Sequence, residues 1–177
     1  MTYSVESAGD HPLDGLPSIE AAAAELFPVE DLPPAVRSET LSMDEFRQAA
    51  EEGRLWLAIH RPTGGVDEPV GFALAILVDG SAHLAEMDVH PDHGRRGLGR
   101  RLVEAVLDWA RFTGHPTVTL TTFRHLPWNG PFYARLGFRE LPESKMGPEL
   151  RQMLVQEAEL GLDPARRVAM VVEVEIA

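Results

Sequence analysis

The spacing of apolar and polar positions changes several times along the chain, and each change marks an element. Met1 to Gly15 has no clear period and is expected to be a short edge strand or a loose tail. Ile19 to Phe27, rich in alanine, predicts a helix ended by Pro28, and the Pro33-Pro34 pair marks a loop before a second helix. Ser42 with Glu45 three residues later forms a capping-box pattern for that helix, which runs to about Gly53. Arg54 to His60 alternates around Leu55, Leu57 and Ile59, as a strand does. Pro62 to Pro69, with Gly64-Gly65 inside, is a turn into the apolar strand Val70 to Val78, and Asp79-Gly80 is a hairpin signal into Ala82 to Val89. These runs predict three consecutive antiparallel strands.

Beyond a glycine-rich turn, Leu98, Leu102, Val106, Trp109 and Ala110 recur at helical spacing, giving a helix that ends near Gly114. Thr117 to Phe123 is a β-branched run suited to a buried strand. Because it follows a crossover helix, it is expected to lie parallel to the Ala82 strand. Asn129-Gly130-Pro131 predicts a cap and first turn for a short helix, Phe132 to Leu136, stopped by Gly137. Phe138 to Leu141 and Val168 to Ile176 complete the strands, separated by a helix from about Pro148 to Leu160. The fold class is therefore α+β, a mixed, mostly antiparallel central sheet flanked by helices. No repeat or composition break divides residues 1–177, which are expected to form a single domain.

Charge adds a contrast. The 28 acidic and 16 basic residues give a formal net charge of −12, yet Arg95, Arg96, Arg100 and Arg101 cluster where Gly94, Gly97 and Gly99 let the backbone turn tightly. The next helix begins there, so its first N–H groups lack intrahelical acceptors and, with the helix dipole, form an anion site. A polyanionic ligand is implied at this one basic patch. The acidic surplus elsewhere argues against a nucleic-acid surface. With no cysteine in the chain, disulfides, thiolate metal sites and a cysteine nucleophile are excluded. The longest apolar run, Val70 to Val78, is far too short for a membrane helix, and a cytoplasmic location is the expectation.

Two motifs stand in order: GRRGLG at 94 to 99, between a strand and a helix, and FYARLGF at 132 to 138. On these the chain resembles the GNAT family of N-acetyltransferases, whose signature is R/Q-x-x-G-x-G/A after the fourth strand, followed by a short helix reading roughly FYxxLGF. The resemblance covers about residues 54 to 142. Three positions depart from it. Gly94 stands where Arg or Gln is usual, Leu126 where many members have asparagine, and the segment from Pro142 to Pro164 is longer than a simple hairpin. That segment is expected to shape a substrate pocket or a dimer surface.

The resemblance implies acetyl transfer from acetyl-CoA to a small-molecule or peptide amine, in a ternary complex without a covalent enzyme intermediate. It places the cofactor against the backbone of Met87, Asp88 and Val89 and against Gly94, Arg95, Arg96, Gly97, Leu98, Gly99 and Arg100. Asn129 is either a further cofactor contact or a plain helix cap. Tyr133, matching the motif tyrosine, is the candidate acid for the departing thiolate, weighed against a tyrosine packed beside Phe132. Glu86 interrupts an apolar strand and is the candidate base, since burial would raise its pKa; a solvated or ion-paired glutamate is the plain alternative. His125 is a second-rank base, and Glu30, Asp31, Glu140 and Glu143 are the acids nearest to where resembling proteins hold acceptors. His90 and His93 are three apart, but no third ligand follows nearby, so no metal is expected. Trp56 and Trp109 fit core packing, and Trp128 fits either the core or an acceptor pocket. A dinucleotide fold and a P-loop both fail, because the glycine spacing differs and the only lysine, Lys145, follows Ser144. A non-catalytic acyl-CoA sensor that kept the cofactor site is the alternative function.

Overall fold

The computed structural model describes residues 2–176. Seven strands form one sheet in the order β1-β2-β3-β4-β5-β7-β6: β1 Thr2–Ser7, β2 Leu55–Arg61, β3 Glu68–Val78, β4 Ser81–Val89, β5 Thr117–Phe123, β6 Arg139–Glu140 and β7 Arg167–Glu173. Every neighbouring pair is antiparallel except β4 and β5, which are parallel, as the crossover helix requires. The predicted N-terminal edge strand is β1, and the predicted hairpin at Asp79-Gly80 closes with both residues at positive φ, 52° and 73°, the conformation of a type I′ turn.

The helices are α1 Leu16–Ala24, α2 Pro34–Arg37, α3 Met43–Glu51, α4 Leu98–Phe112, α5 Gly130–Arg135 and α6 Pro148–Glu159. Two expectations need adjustment. The first helix starts at Leu16 and ends at Ala24, and the segment after Pro33 is not all loop, because Pro34 sits at the first position of the short α2, where a missing N–H costs nothing. The capping box at Ser42 and Glu45 is complete in both directions.

Strand β2 is buried on both faces. Leu55, Leu57 and Ile59 pack with Leu16, Ile19, Phe46 and Phe72 on the α1–α3 side, while Trp56 and Ala58 pack with Leu98, Leu102 and Val106 on the α4 side. Its alternation is therefore between two apolar layers, as a two-sided strand allows. Each fully buried Leu or Val on the inner stripe of α4 contributes about 1.5–3 kcal/mol, which fixes that helix, and with it the turn at its N-terminus. At the β3–β4 hairpin, Asp79 accepts from the N–H groups of Glu149 and Leu150 at 2.9 and 3.1 Å. It thereby caps α6 across the chain and holds that helix over the sheet.

Candidate active site

Strands β4 and β5 pair only at Ala82–Val118 and His83–Thr119, and beyond that they part. The opening is a cleft of about 440 Å³ bordered by α1, α5 and α6 as well as the two strands. At the apex His83 Nδ1 lies 2.8 Å from Thr119 Oγ1, and burial pushes the His83 pKa down to about 4.

A register shift decides what faces the cleft. Leu74 pairs with Glu86 and Ala75 with Leu84, so Ala85 is an extra residue in β4, a β-bulge. Leu84 packs on the α4 side and Ala85 on the α1–α3 side. Past the bulge Met87 and Val89 return to the α4 side, leaving Glu86 and Asp88 to line the cleft. Without the extra residue, period 2 would turn Glu86 onto the same face as Leu84.

Glu86 and Asp88 are neighbours in the cleft, and Asp88 Oδ2 is buried without a hydrogen-bond partner among the described residues. Burial raises both pKa values, and the mutual repulsion of the two carboxylates raises that of Asp88 further, so the pair is harder to ionise than isolated carboxyls. Glu20 of α1 is the third acid. Burial and the nearby Glu86 lift its pKa from 4.5 to about 7, against the opposing hydrogen bond from the Leu41 N–H at 2.9 Å. Facing them, Arg167 is tied to Glu157 at 2.9 Å and sits over the Phe123 ring at 4.6 Å. Its charge lowers the Glu86 pKa without outweighing burial.

Tyr133 on α5 belongs to both surroundings weighed for it. Its ring packs edge-on against Phe132 and Phe138, with centroids 5.1 and 5.7 Å away, and it also lines the cleft. Burial, with Glu86 and Asp88 nearby, raises its pKa, so the phenol stays protonated. Gly130 makes that placement possible, because a Cβ there would come within 2.8 Å of the Arg124 carbonyl oxygen. Asn129 occupies the N-cap position of α5, yet its side chain makes no cap bond; it donates to the Trp128 carbonyl at 3.1 Å and lines the cleft.

Between β4 and α4, a short 3-10 turn at Pro91–His93 leads into the arginine-rich loop. Arg95 adopts φ 55° and Gly97 φ 75°, and alternation of such residues with ordinary ones turns successive N–H groups toward one side. Among the described residues, none of the N–H groups from Arg95 to Arg100 donates to a backbone carbonyl; the first bond into α4 is Arg101 N–H to Gly97 at 3.1 Å. Arg95, Arg96, Gly97 and Arg100 are exposed, Leu98 is buried beneath them, and Gly99 lies against Met87 and Phe132, where a Cβ would make ordinary contacts of 3.5 Å. Arg100 also pairs with Glu104 at 2.7 Å. Arg101 turns away to the Tyr3 carbonyl.

Several weaker candidates are engaged elsewhere. His125 binds Asp31 at 3.0 Å, and Asp31, 2% exposed, also binds Arg166 at 2.6 Å, so neither His125 nor Asp31 lines the cleft. Glu140 is paired with Arg124. Trp56 meets Trp109 edge-on in the core, and Trp128 packs edge-on against Phe27. His90 acts as a turn residue, accepting from the Asp92 N–H. Glu20, the side chain of Asp88 and the Glu157–Arg167 pair escaped the sequence reading. Among the described residues, no helix is long and apolar enough to cross a membrane.

The sequence model of the Acetyltransferase (GNAT) family matches residues 18–138. Among solved structures, N-acetylglutamate synthase from Neisseria gonorrhoeae, complexed with coenzyme A and N-acetyl-glutamate, superposes with a TM-score of 0.68 at 18% identity over 99% of this chain and 36% of its own. The chain thus spans about a third of that protein. The ribosomal-protein-S18-alanine N-acetyltransferase from Escherichia coli gives a TM-score of 0.63 at 20% identity, covering 99% of this chain and 96% of its own. The PaiA N-acetyltransferase from Thermoplasma acidophilum, in complex with coenzyme A, gives 0.65 at 14% identity over 98% and 99%. At such identities the likeness is one of fold.

Proposed function

The chain belongs to the GNAT family of acetyl-CoA-dependent N-acetyltransferases, and from that premise we propose that it moves an acetyl group to a small-molecule or peptide amine by direct attack in a ternary complex. The cofactor phosphates sit on the N–H groups of Arg95 to Arg100, with Gly94 opening the loop and the side chains of Arg95, Arg96 and Arg100 around them. The pantetheine arm runs along the backbone of Met87, Asp88 and Val89, where β4 has no β5 partner, and Asn129 borders it from α5. A backbone N–H of β4 in that stretch polarises the thioester oxygen as charge develops on it.

An ammonium acceptor must lose a proton before it attacks. Glu86 takes it, and the proton affinity that burial raises suits a base. Tyr133 donates a hydrogen bond to the departing sulfur. The thiol pKa is about 8.5, so the thiolate is already a fair leaving group and the contribution of the acid is modest. The three acids Glu20, Glu86 and Asp88 favour a cationic acceptor over an anionic one. They take the place of Asp31 and Glu140, which are committed to ion pairs.

One observation supports this reading above the rest: the bulge at Ala85 turns Glu86 and Asp88 into the same cleft that Tyr133 lines, one strand-end away from a loop with free N–H groups. Calorimetry with Gly99→Glu tests the cofactor half. The added carboxylate is compatible with a helix N-terminus and its Cβ makes only ordinary contacts with Met87 and Phe132, but it stands where phosphate must bind. Acetyl-CoA affinity should be lost with the fold intact; unchanged affinity overturns the assignment.

A further inference from the structure

Outside the cleft, whose lining includes none of them, three side chains far apart in sequence converge. They are His60 of β2, Glu68 at the start of β3 and His93 of the 3-10 turn, each with one donor atom within 4.8 Å of the other two. The antiparallel register supplies two ligands to join His93, since His60 and Glu68 are partners across β2 and β3. We propose that His60, Glu68 and His93 bind one divalent transition-metal ion of the zinc type.

Two imidazoles and a carboxylate are a donor set for Zn²⁺, which takes nitrogen and oxygen ligands at about 2.0–2.2 Å and keeps a fourth position for water in three-ligand sites. A second, independent observation comes from His60. Its residue is 9% exposed, its Nδ1 lies 3.1 Å from Glu68 Oε1, and its Nε2 is buried without a hydrogen-bond partner. A buried polar atom left unpaired is rare and calls for a water or an ion beside it.

Tyr3 organises the surroundings. Its hydroxyl lies 3.1 Å from His93 Nδ1, and its ring stacks on His60 with centroids 4.8 Å apart. Hydrogen bonding at one ring nitrogen orients a histidine and leaves the other free for metal. Arg96 stacks over the Tyr3 ring at 5.5 Å, a positive charge that opposes a cation, and the Glu68 carboxylate, 3.1 Å from His60 Nδ1, offsets it. The ion would tie the β2–β3 hairpin to the turn that opens the phosphate loop.

The test uses the full chain without an affinity tag, stripped by chelator and titrated with Co²⁺, whose visible spectrum reports tetrahedral coordination, and then with Zn²⁺ in competition. One saturable equivalent is expected. Glu68→Gln and His93→Gln, both at the surface end of the cluster, should each weaken binding at least about tenfold, and Tyr3→Phe by about tenfold as an outer partner, with circular dichroism unchanged. Absence of saturable binding overturns the proposal. So does an affinity unchanged in Glu68→Gln and His93→Gln, which would send the ion to the cleft acids.

Discussion

Replacing Glu20 by glutamine should make the protein more stable at neutral pH, with a gain that vanishes in acid. Between pH 4.5 and about 7 the native Glu20 still holds a proton that the unfolded chain has released. The native state therefore binds more protons, and stability falls as pH rises through that window. The pKa displacement from 4.5 to about 7 amounts to about 3.4 kcal/mol, at 1.36 kcal/mol per tenfold change in proton affinity. Glu20 is only half-buried in an open cleft, and screening by water reduces the effect to about 1–2 kcal/mol. The amide oxygen of the introduced glutamine still accepts from the Leu41 N–H, so the hydrogen bond survives while the titration is removed. Urea denaturation of both proteins at pH 4.5, 6 and 8 measures the difference: the curves should nearly coincide at pH 4.5, and the variant midpoint should lie about 0.5–1 M higher at pH 8. Parallel pH profiles, with the same gap at all three values, would refute the claim that Glu20 shares its field with Glu86 and Asp88.

The remaining predictions concern turnover. Glu86→Gln keeps size and removes basicity, so the rate should fall most at low pH, where few acceptor amines are neutral, and recover in part as pH rises; a uniform loss in the pH–rate profile would make Glu86 a positioning group. Tyr133→Phe should lower kcat by about tenfold to a thousandfold while acetyl-CoA affinity by calorimetry is nearly unchanged, because the hydroxyl acts only as charge develops on sulfur. An unchanged kcat would confine Tyr133 to its packing against Phe132 and Phe138. For a cationic acceptor, kcat/KM should fall as salt screens the cleft acids, and stopped assays at low and high ionic strength read this directly.

Local signals made most of the fold legible. Asp79-Gly80 announced its turn, Ser42 with Glu45 its helix start, and Thr117 to Phe123 its parallel strand, because each depends on residues adjacent in sequence. What stayed hidden depends on contacts across the sheet. Ala85 is one apolar residue among several, and only its place opposite Leu74 and Ala75 shows that it is the bulged residue that redirects Glu86 and Asp88. Glu20 reads as the solvent face of an alanine-rich helix until α1 is packed beside β4. Asp79 as a cap for α6 joins positions 70 and 71 residues apart. Asn129 carried a strong cap signal that its backbone, at φ −115° and ψ −110°, does not use. His60 and Glu68 lie eight residues apart on different strands, and only the register brings them to His93.

Acetyl transfer over a panel of cationic, neutral and anionic amines, followed by mass spectrometry of the products with acetyl-CoA as donor, tests the central claim most directly. The account predicts acetylated cationic amines, turnover abolished by Gly99→Glu and reduced by Tyr133→Phe. Tight binding of acetyl-CoA with no amine acetylated would contradict it and leave a cofactor-sensing protein in its place.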